Sequence, residues 1–99
     1  MYVIREVLNC RPGKVRELAA KFRVISSALQ ESGRPSLRLL TDLSGERFWT
    51  LVVEAQVETV DEFLALEQSL MANESVRSAM AGYHDIIERG RREIYRIEA

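Results

Sequence analysis

Glu6, Trp49, Tyr83 and His84 are the residues whose types and settings could do chemistry in this chain. His84 is the single histidine, and so the one side chain that titrates near neutrality without help from its surroundings. It falls beside Tyr83 at the edge of an apolar helical stripe. There it is either a helix-surface residue or a general base at a pocket mouth. Glu6 interrupts an apolar strand, and on simple alternation it shares a face with Tyr2, Ile4, Leu8 and Cys10. A carboxylate among apolar groups must be paired or have a raised pKa. Arg92 and Arg96, on the strand expected beside the first, are candidate partners; the alternative is a carboxylate lining a cavity as an acid–base group. Trp49 joins a large apolar body to one donor, which suits core packing or a stacking wall for a planar ligand. The candidates are thus His84 and Glu6 for catalysis, and Trp49 and Tyr83 for ligand contact.

Other chemistries lack their residues. No P-loop, dinucleotide glycine motif or metal-ligand spacing is present, so neither a cofactor nor a metal is expected. Cys10 is the one cysteine, which rules out an intramolecular disulfide and reads as a small buried apolar group near a strand end. Fourteen basic residues against fifteen acidic ones exert no global pull on nucleic acid or an anionic membrane. Arg89, Arg91, Arg92 and Arg96 form a basic cluster of the kind that keeps a strand edge solvated. No apolar run approaches the ~20 residues that span a bilayer. Arg5 and Glu6 stand where a signal peptide needs its apolar stretch, so the expected setting is cytoplasmic.

The elements that must position these residues follow from periodicity. Tyr2 to Cys10 is β-branched and aromatic, predicting a strand that stops at Arg11-Pro12-Gly13. Val15, Leu18, Ala19, Phe22, Ile25, Ser26 and Leu29 form one helical stripe, closed by Gly33 as a left-handed cap and Pro35 as a stop. Ser36–Leu43 and Arg47–Val57 read as two strands, joined by a hairpin in which Gly45 supplies positive φ. In the second of them, Trp49, Leu51, Val53, Ala55 and Val57 alternate on one face, with Phe48 and Val52 on the other. Thr59 and Glu62 form a capping box ahead of Phe63 and Leu64, and Asn73 caps a second helical piece. Val76, Ala79, Met80, Tyr83, Ile86 and Ile87 share one face of that piece, Gly90 ends it, and Arg91–Ile97 alternates as a closing strand.

The order βαββαβ over residues 1–99 predicts a single ferredoxin-like α+β domain: a four-stranded antiparallel sheet with its helices, the second one split, on one face. A chain of 99 residues buries only roughly two-thirds of the surface its unfolded form exposes, so further burial against a partner is useful. Because the third strand carries apolar groups on both faces, the open sheet face should be partly apolar. A two-fold homodimer through that face is the expected way to cover it.

These residues resemble the dimeric α+β barrel proteins, which include the NIPSNAP-like and antibiotic-biosynthesis-monooxygenase-like families. The resemblance is carried by Tyr2-Val3-Ile4-Arg5-Glu6-Val7-Leu8 running into Arg11-Pro12-Gly13-Lys14 and Val15-Arg16-Glu17-Leu18. In the second half it is carried by the helix from Thr59 to Leu66, the short piece Glu74–Ala79 and a final strand. It implies a ligand held between sheet and helices or inside the two-sheet barrel, with cofactor-free oxidation of aromatic substrates, haem degradation or no known activity as the functions of members. The haem-degrading branch uses an Asn, a Trp and a His. Asn9, Trp49 and His84 match in type but not in place, and Glu6 stands where the branch has its Asn.

Three functions fit. The first is a homodimeric barrel that binds a small apolar or aromatic molecule, with or without monooxygenase-like chemistry. The second is a non-catalytic regulatory or scaffolding dimer. The third is an RNA-recognition domain, which shares the element order. Gly45-Glu46-Arg47-Phe48 loosely resembles its third-strand motif, while the neutral charge and the single first-strand aromatic, Tyr2, argue against it.

Overall fold

A computed structural model describes all residues 1–99 and has the element order β1 (Tyr2–Cys10), α1 (Val15–Glu31), β2 (Arg38–Thr41), β3 (Thr50–Val57), α2 (Val60–Met71), α3 (Glu74–Met80) and β4 (Ile87–Arg96). A short 3-10 turn, Tyr83–Asp85, precedes β4. The four strands form one antiparallel sheet in the order β2-β3-β1-β4, with β1 and β3 central. This is the ferredoxin-like arrangement expected from the element order. No helix is long and apolar enough to cross a membrane.

Local chemistry sets most boundaries. Gly33, at φ 77°, ends α1 in the left-handed region, and Arg34 N–H reaches back to Leu29 O at 2.9 Å. The Thr59 hydroxyl accepts from Glu62 N–H at 3.1 Å, and the Glu62 carboxylate accepts from Glu58 N–H at 2.9 Å, which opens α2. Asn73 Oδ1 accepts from Val76 N–H at 3.1 Å and opens α3, so the helical region breaks where the sequence predicts.

Two boundaries differ from expectation. The strands predicted over Ser36–Leu43 and Arg47–Val57 are shorter, and no tight hairpin joins them. Instead Asp42 Oδ1 accepts from Thr50 N–H at 2.7 Å, and Thr50 Oγ1 donates to Arg47 O at 2.9 Å, closing the neck of an irregular loop. Positive φ falls on Trp49 (60°) rather than Gly45. Trp49 and Phe48 therefore fall off the strand alternation, although Trp49 O still accepts from Cys10 N–H at 2.8 Å. The second difference lies at Gly90, which is inside β4 opposite Leu8 and does not end a helix. The helix stops at Met80, Gly82 at φ 80° turns the chain out of the stripe, and β4 then starts at Ile87 by pairing with Cys10.

The helices cover one face of the sheet. Leu51 and Val53 project towards them into a cluster with Leu18 and Ala19, and Ile4 and Val57 into one with Phe63, while Ile25, Leu29, Leu66 and Val76 pack the helices on one another. Lys21 Nζ donates to Ala79 O and Ala81 O at 3.0 and 2.8 Å, a cation at the C-terminus of α3 that pins it to α1. Cys10 is buried beside this core; burial, with help from Asp42 and Glu88, pushes its thiol pKa up, which keeps it protonated and inert.

The opposite face is open and is organised in rows. Arg38, Glu54, Arg5 and Glu93 stand in register across all four strands and alternate in sign. Arg5 lies 2.7 Å from Glu54 and 3.8 Å from Glu93. The adjacent row is apolar over Leu40, Val52 and Val7 and ends at Arg91 on β4. The apolar part of this face is thus smaller than expected, because Phe48 is not on it. The molecule is 17 Å through its thin direction against 35 × 34 Å across, and only 17 of 99 residues are buried, which is a two-layer core with one side uncovered.

Hydrogen bonds from Arg91 and Tyr95 hold the Glu93 carboxyl below the usual glutamate range, with the charges of Arg91 and Arg5 assisting. A lowered folded-state pKa contributes stability that is present above the unfolded value and lost as pH falls through the folded one. The melting temperature of the wild type should therefore exceed that of Glu93→Gln near neutrality, and the gap should close over the acid window below the ordinary glutamate value of about 4.3. A gap that stays constant across that window would remove the assigned cause.

Candidate functional site

The sheet and its helices do not close on each other completely. They leave a cavity of about 450 Å3, 15 of whose 19 lining residues are hydrophobic. The floor comes from the inward face of the sheet: Ile4, Glu6 and Leu8 of β1, Val53 and Ala55 of β3, and Arg92 of β4. The walls come from Phe22 and Ile25 of α1, Phe63, Leu66, Glu67 and Leu70 of α2, and Val76 and Met80 of α3. Tyr83, in the 3-10 turn, and Ile87 close one end.

Alternation along β1 places Glu6 on this face with Ile4 and Leu8, as the sequence predicts, and β4 brings Arg92 directly opposite it. Arg92 Nε donates to Glu6 Oε1, and Arg92 Nη2 donates to Glu67 Oε2 at 2.6 Å. The guanidinium carbon lies 4.9 Å from the centre of the Phe63 ring. Burial works against the Arg92 charge, but the hydrogen bonds to Glu67 and Glu6 outweigh it and raise its pKa. The polar side of the cavity is therefore one guanidinium gripped by two carboxylates, one from the sheet and one from α2. Gly90 serves the same wall: a Cβ there would approach Leu8 Cδ2 to 3.0 Å, so its lack of a side chain lets Leu8 pack down.

The four candidates separate in space. Glu6 and Tyr83 line the cavity. His84 stacks on Tyr83, ring centres 4.0 Å apart, but is exposed and outside the lining. Trp49 is also outside it, on a separate open cleft with Gly13, Val15, Arg16 and Phe48. Of the groups that sequence reasoning did not single out, Glu67 matters most. It did carry a local signal, since it lies four residues after Phe63 and three before Leu70, on the apolar stripe of α2.

The open face carries a separate polar concavity lined by Arg5, Asn9, Thr50, Glu54, Arg91 and Glu93 among others. Asn9 Nδ2 donates to Thr50 Oγ1 at 3.0 Å there, so Asn9 points away from the cavity that holds Glu6. The two base-stacking positions of an RNA-recognition domain are likewise missing from this face. β3 contains no aromatic residue, and Tyr2 packs with Ile4, Val57 and Phe63 on the helix side.

No protein-family model and no curated protein sequence matches the chain. Solved structures do. Protein Atu4242 from Agrobacterium tumefaciens superposes with a TM-score of 0.80 at 16% identity, over 97% of this chain and 92% of that one. An uncharacterised NIPSNAP-like domain protein from Burkholderia xenovorans gives 0.78 at 17%, over 98% and 85%. An MhuD variant with two manganese protoporphyrin IX molecules bound per active site gives 0.70 at 20%, over 100% and 96%. At these identities the likeness concerns the fold alone: this chain has the fold of the NIPSNAP-like domain protein and of the MhuD variant.

Proposed function

We propose that this chain binds a small apolar or aromatic molecule between its sheet and its helices, as one half of a homodimer formed through the open sheet face. The cavity carries the binding reading. Its volume of about 450 Å3 is in the range of small-molecule sites, its lining is apolar, and its few polar groups converge on one side. Protein interiors are otherwise packed to the density of organic crystals, so a space of this size in so thin a core costs contacts that a ligand would restore. The MhuD variant, which holds porphyrin molecules in its active site on the same fold, supports the same use of the architecture. Glu6 and Tyr83 are the ligand-facing candidates.

Cofactor-free oxidation of the monooxygenase-like kind would need a free base beside the ligand. Glu6 is engaged by Arg92, and His84 lies outside the cavity lining. Those two placements favour binding without catalysis, a regulatory or scaffolding dimer, as the second reading. Titration with the neutral apolar dye N-phenyl-1-naphthylamine tests the cavity itself. Saturable fluorescence at one dye per chain is expected, with affinity reduced about tenfold in Ala55→Leu, which narrows the floor. Unsaturable binding, or binding indifferent to that substitution, would overturn the cavity reading.

The dimer rests on the uncovered side of the core. The apolar row Leu40–Val52–Val7 and the alternating row Arg38–Glu54–Arg5–Glu93 make a face able to meet its own two-fold copy with opposite charges apposed. Light scattering should give twice the 11.3 kDa chain mass, independent of dilution. Val52→Lys places an unpaired ammonium at the centre of the contact and should yield a monomer. Leu64→Lys, on an exposed position of α2, should leave the mass unchanged. A wild-type monomer would remove the dimer.

A further inference from the structure

We infer that the cavity selects molecules bearing a cationic or strongly hydrogen-bond-donating group and rejects those bearing a carboxylate. The inference rests on the ligand-binding reading and adds the chemistry of the ligand's polar end.

Donors and acceptors on the polar wall are out of balance. Arg92 commits Nε to Glu6 and both Nη atoms to Glu67, the latter at 2.6 and 3.4 Å, and the Phe63 ring covers one face of its guanidinium plane. Little donor capacity remains for an incoming anion. Two carboxylates, by contrast, offer roughly eight lone-pair sites between them, most of them unused by Arg92. Charge points the same way. Around Arg92 itself, Glu6 and Glu67 leave one negative charge in excess, and Arg77, the other cation of the lining, pairs with the exposed Glu74 and with neither of these carboxylates. An ammonium entering the cavity would complete a group of two carboxylates and two cations, each with hydrogen-bond partners. A carboxylate would meet like charges on this wall, where the adjoining guanidinium is already engaged by both glutamates.

The test uses three probes with one skeleton: 4-phenylbutylamine, 4-phenyl-1-butanol and 4-phenylbutyrate, titrated calorimetrically into the full chain. The amine should bind at least about tenfold more tightly than the carboxylate, with the alcohol between them. Glu6→Gln and Glu67→Gln each remove the excess charge while keeping an acceptor for Arg92. In both, amine affinity should fall about tenfold and alcohol affinity by less, so that the amine's advantage over the alcohol narrows. Glu67→Gln, on the outer helix layer, provides the answer even where the strand substitution disturbs folding. Carboxylate binding as tight as that of the amine, or an amine preference that survives both substitutions, overturns the inference and leaves the cavity reading standing so long as the alcohol binds. Failure of all three probes together with the naphthylamine dye would overturn both.

Discussion

Leu18→Ala should lower the stability of this protein by about 2–5 kcal/mol, the range for emptying a closed leucine site. Leu18 is fully buried on the first turns of α1, where it joins Leu51, near the start of β3, in a cluster with Cys10, Val15, Ala19, Val53 and Ile86. Domains of this size have only about 5–15 kcal/mol in total, so one leucine is a large share of a core this thin. Urea titration should show a lower midpoint at unchanged slope, and the melting temperature should fall by about 10 °C or more. Leu43→Ala, at a side chain wholly in solvent, should stay within about 0.5 kcal/mol. Leu8, Phe22 and Tyr83 border both this cluster and the ligand cavity. The same substitution should therefore also weaken dye binding, as these side chains relax into the vacated space. A loss under about 1 kcal/mol would mean that α1 is not seated on the sheet as described.

The second large effect is expected at Arg92. Arg92→Ala removes two ion pairs and the contact with Phe63, and it leaves Glu6 without a partner on an apolar wall. The guanidinium is more than a third exposed, so solvent screens the pairs, and together they contribute at most about 1 kcal/mol. The unpaired carboxylate and the lost packing bring the expected total to about 1–2 kcal/mol. A double-mutant cycle of Arg92→Ala with Glu6→Gln isolates the part due to the pair. A coupling of at least about 0.5 kcal/mol is expected, because the two residues face each other in adjacent strands. Additive losses would show that the two act independently and that the polar wall is not one unit.

Much of the site was legible in the chain, for reasons that differ residue by residue. Glu6 declares itself by its type within an apolar alternation, and Arg92 follows once β4 is placed beside β1 in a ferredoxin-like order. The pairing spans 86 residues and yet was within reach, because sheet topology reduces it to register. Trp49 misled for the opposite reason. Its alternation with Leu51 and Val53 continues a strand pattern, but the ladder between β2 and β3 ends at Thr41 and Leu51. Asp42 Oδ1 then accepts from Thr50 N–H across the loop neck, and Trp49 takes a positive φ that carries it off the strand alternation. Ile86 and Ile87 misled in the same way. They continue the helical spacing of Val76, Met80 and Tyr83, but Arg11 N–H donates to Ile86 O and Ile87 pairs with Cys10, and those partners lie far back in the chain.

What the sequence by itself determined is what short-range physics controls. The caps at Thr59 and Asn73, the left-handed Gly33, the stripe of α1 and the face of β1 on which Glu6 stands all depend on residues within a few positions of one another. Their order then leaves few topologies open. Only the tertiary structure decided where the strands stop and which candidates share a cavity. It brought Glu67 to Arg92, put His84 and Trp49 outside, and left a space between sheet and helices. Those outcomes follow from the volumes and hydrogen bonds of segments that meet only after folding, and no local pattern encodes how closely two packed layers will fit.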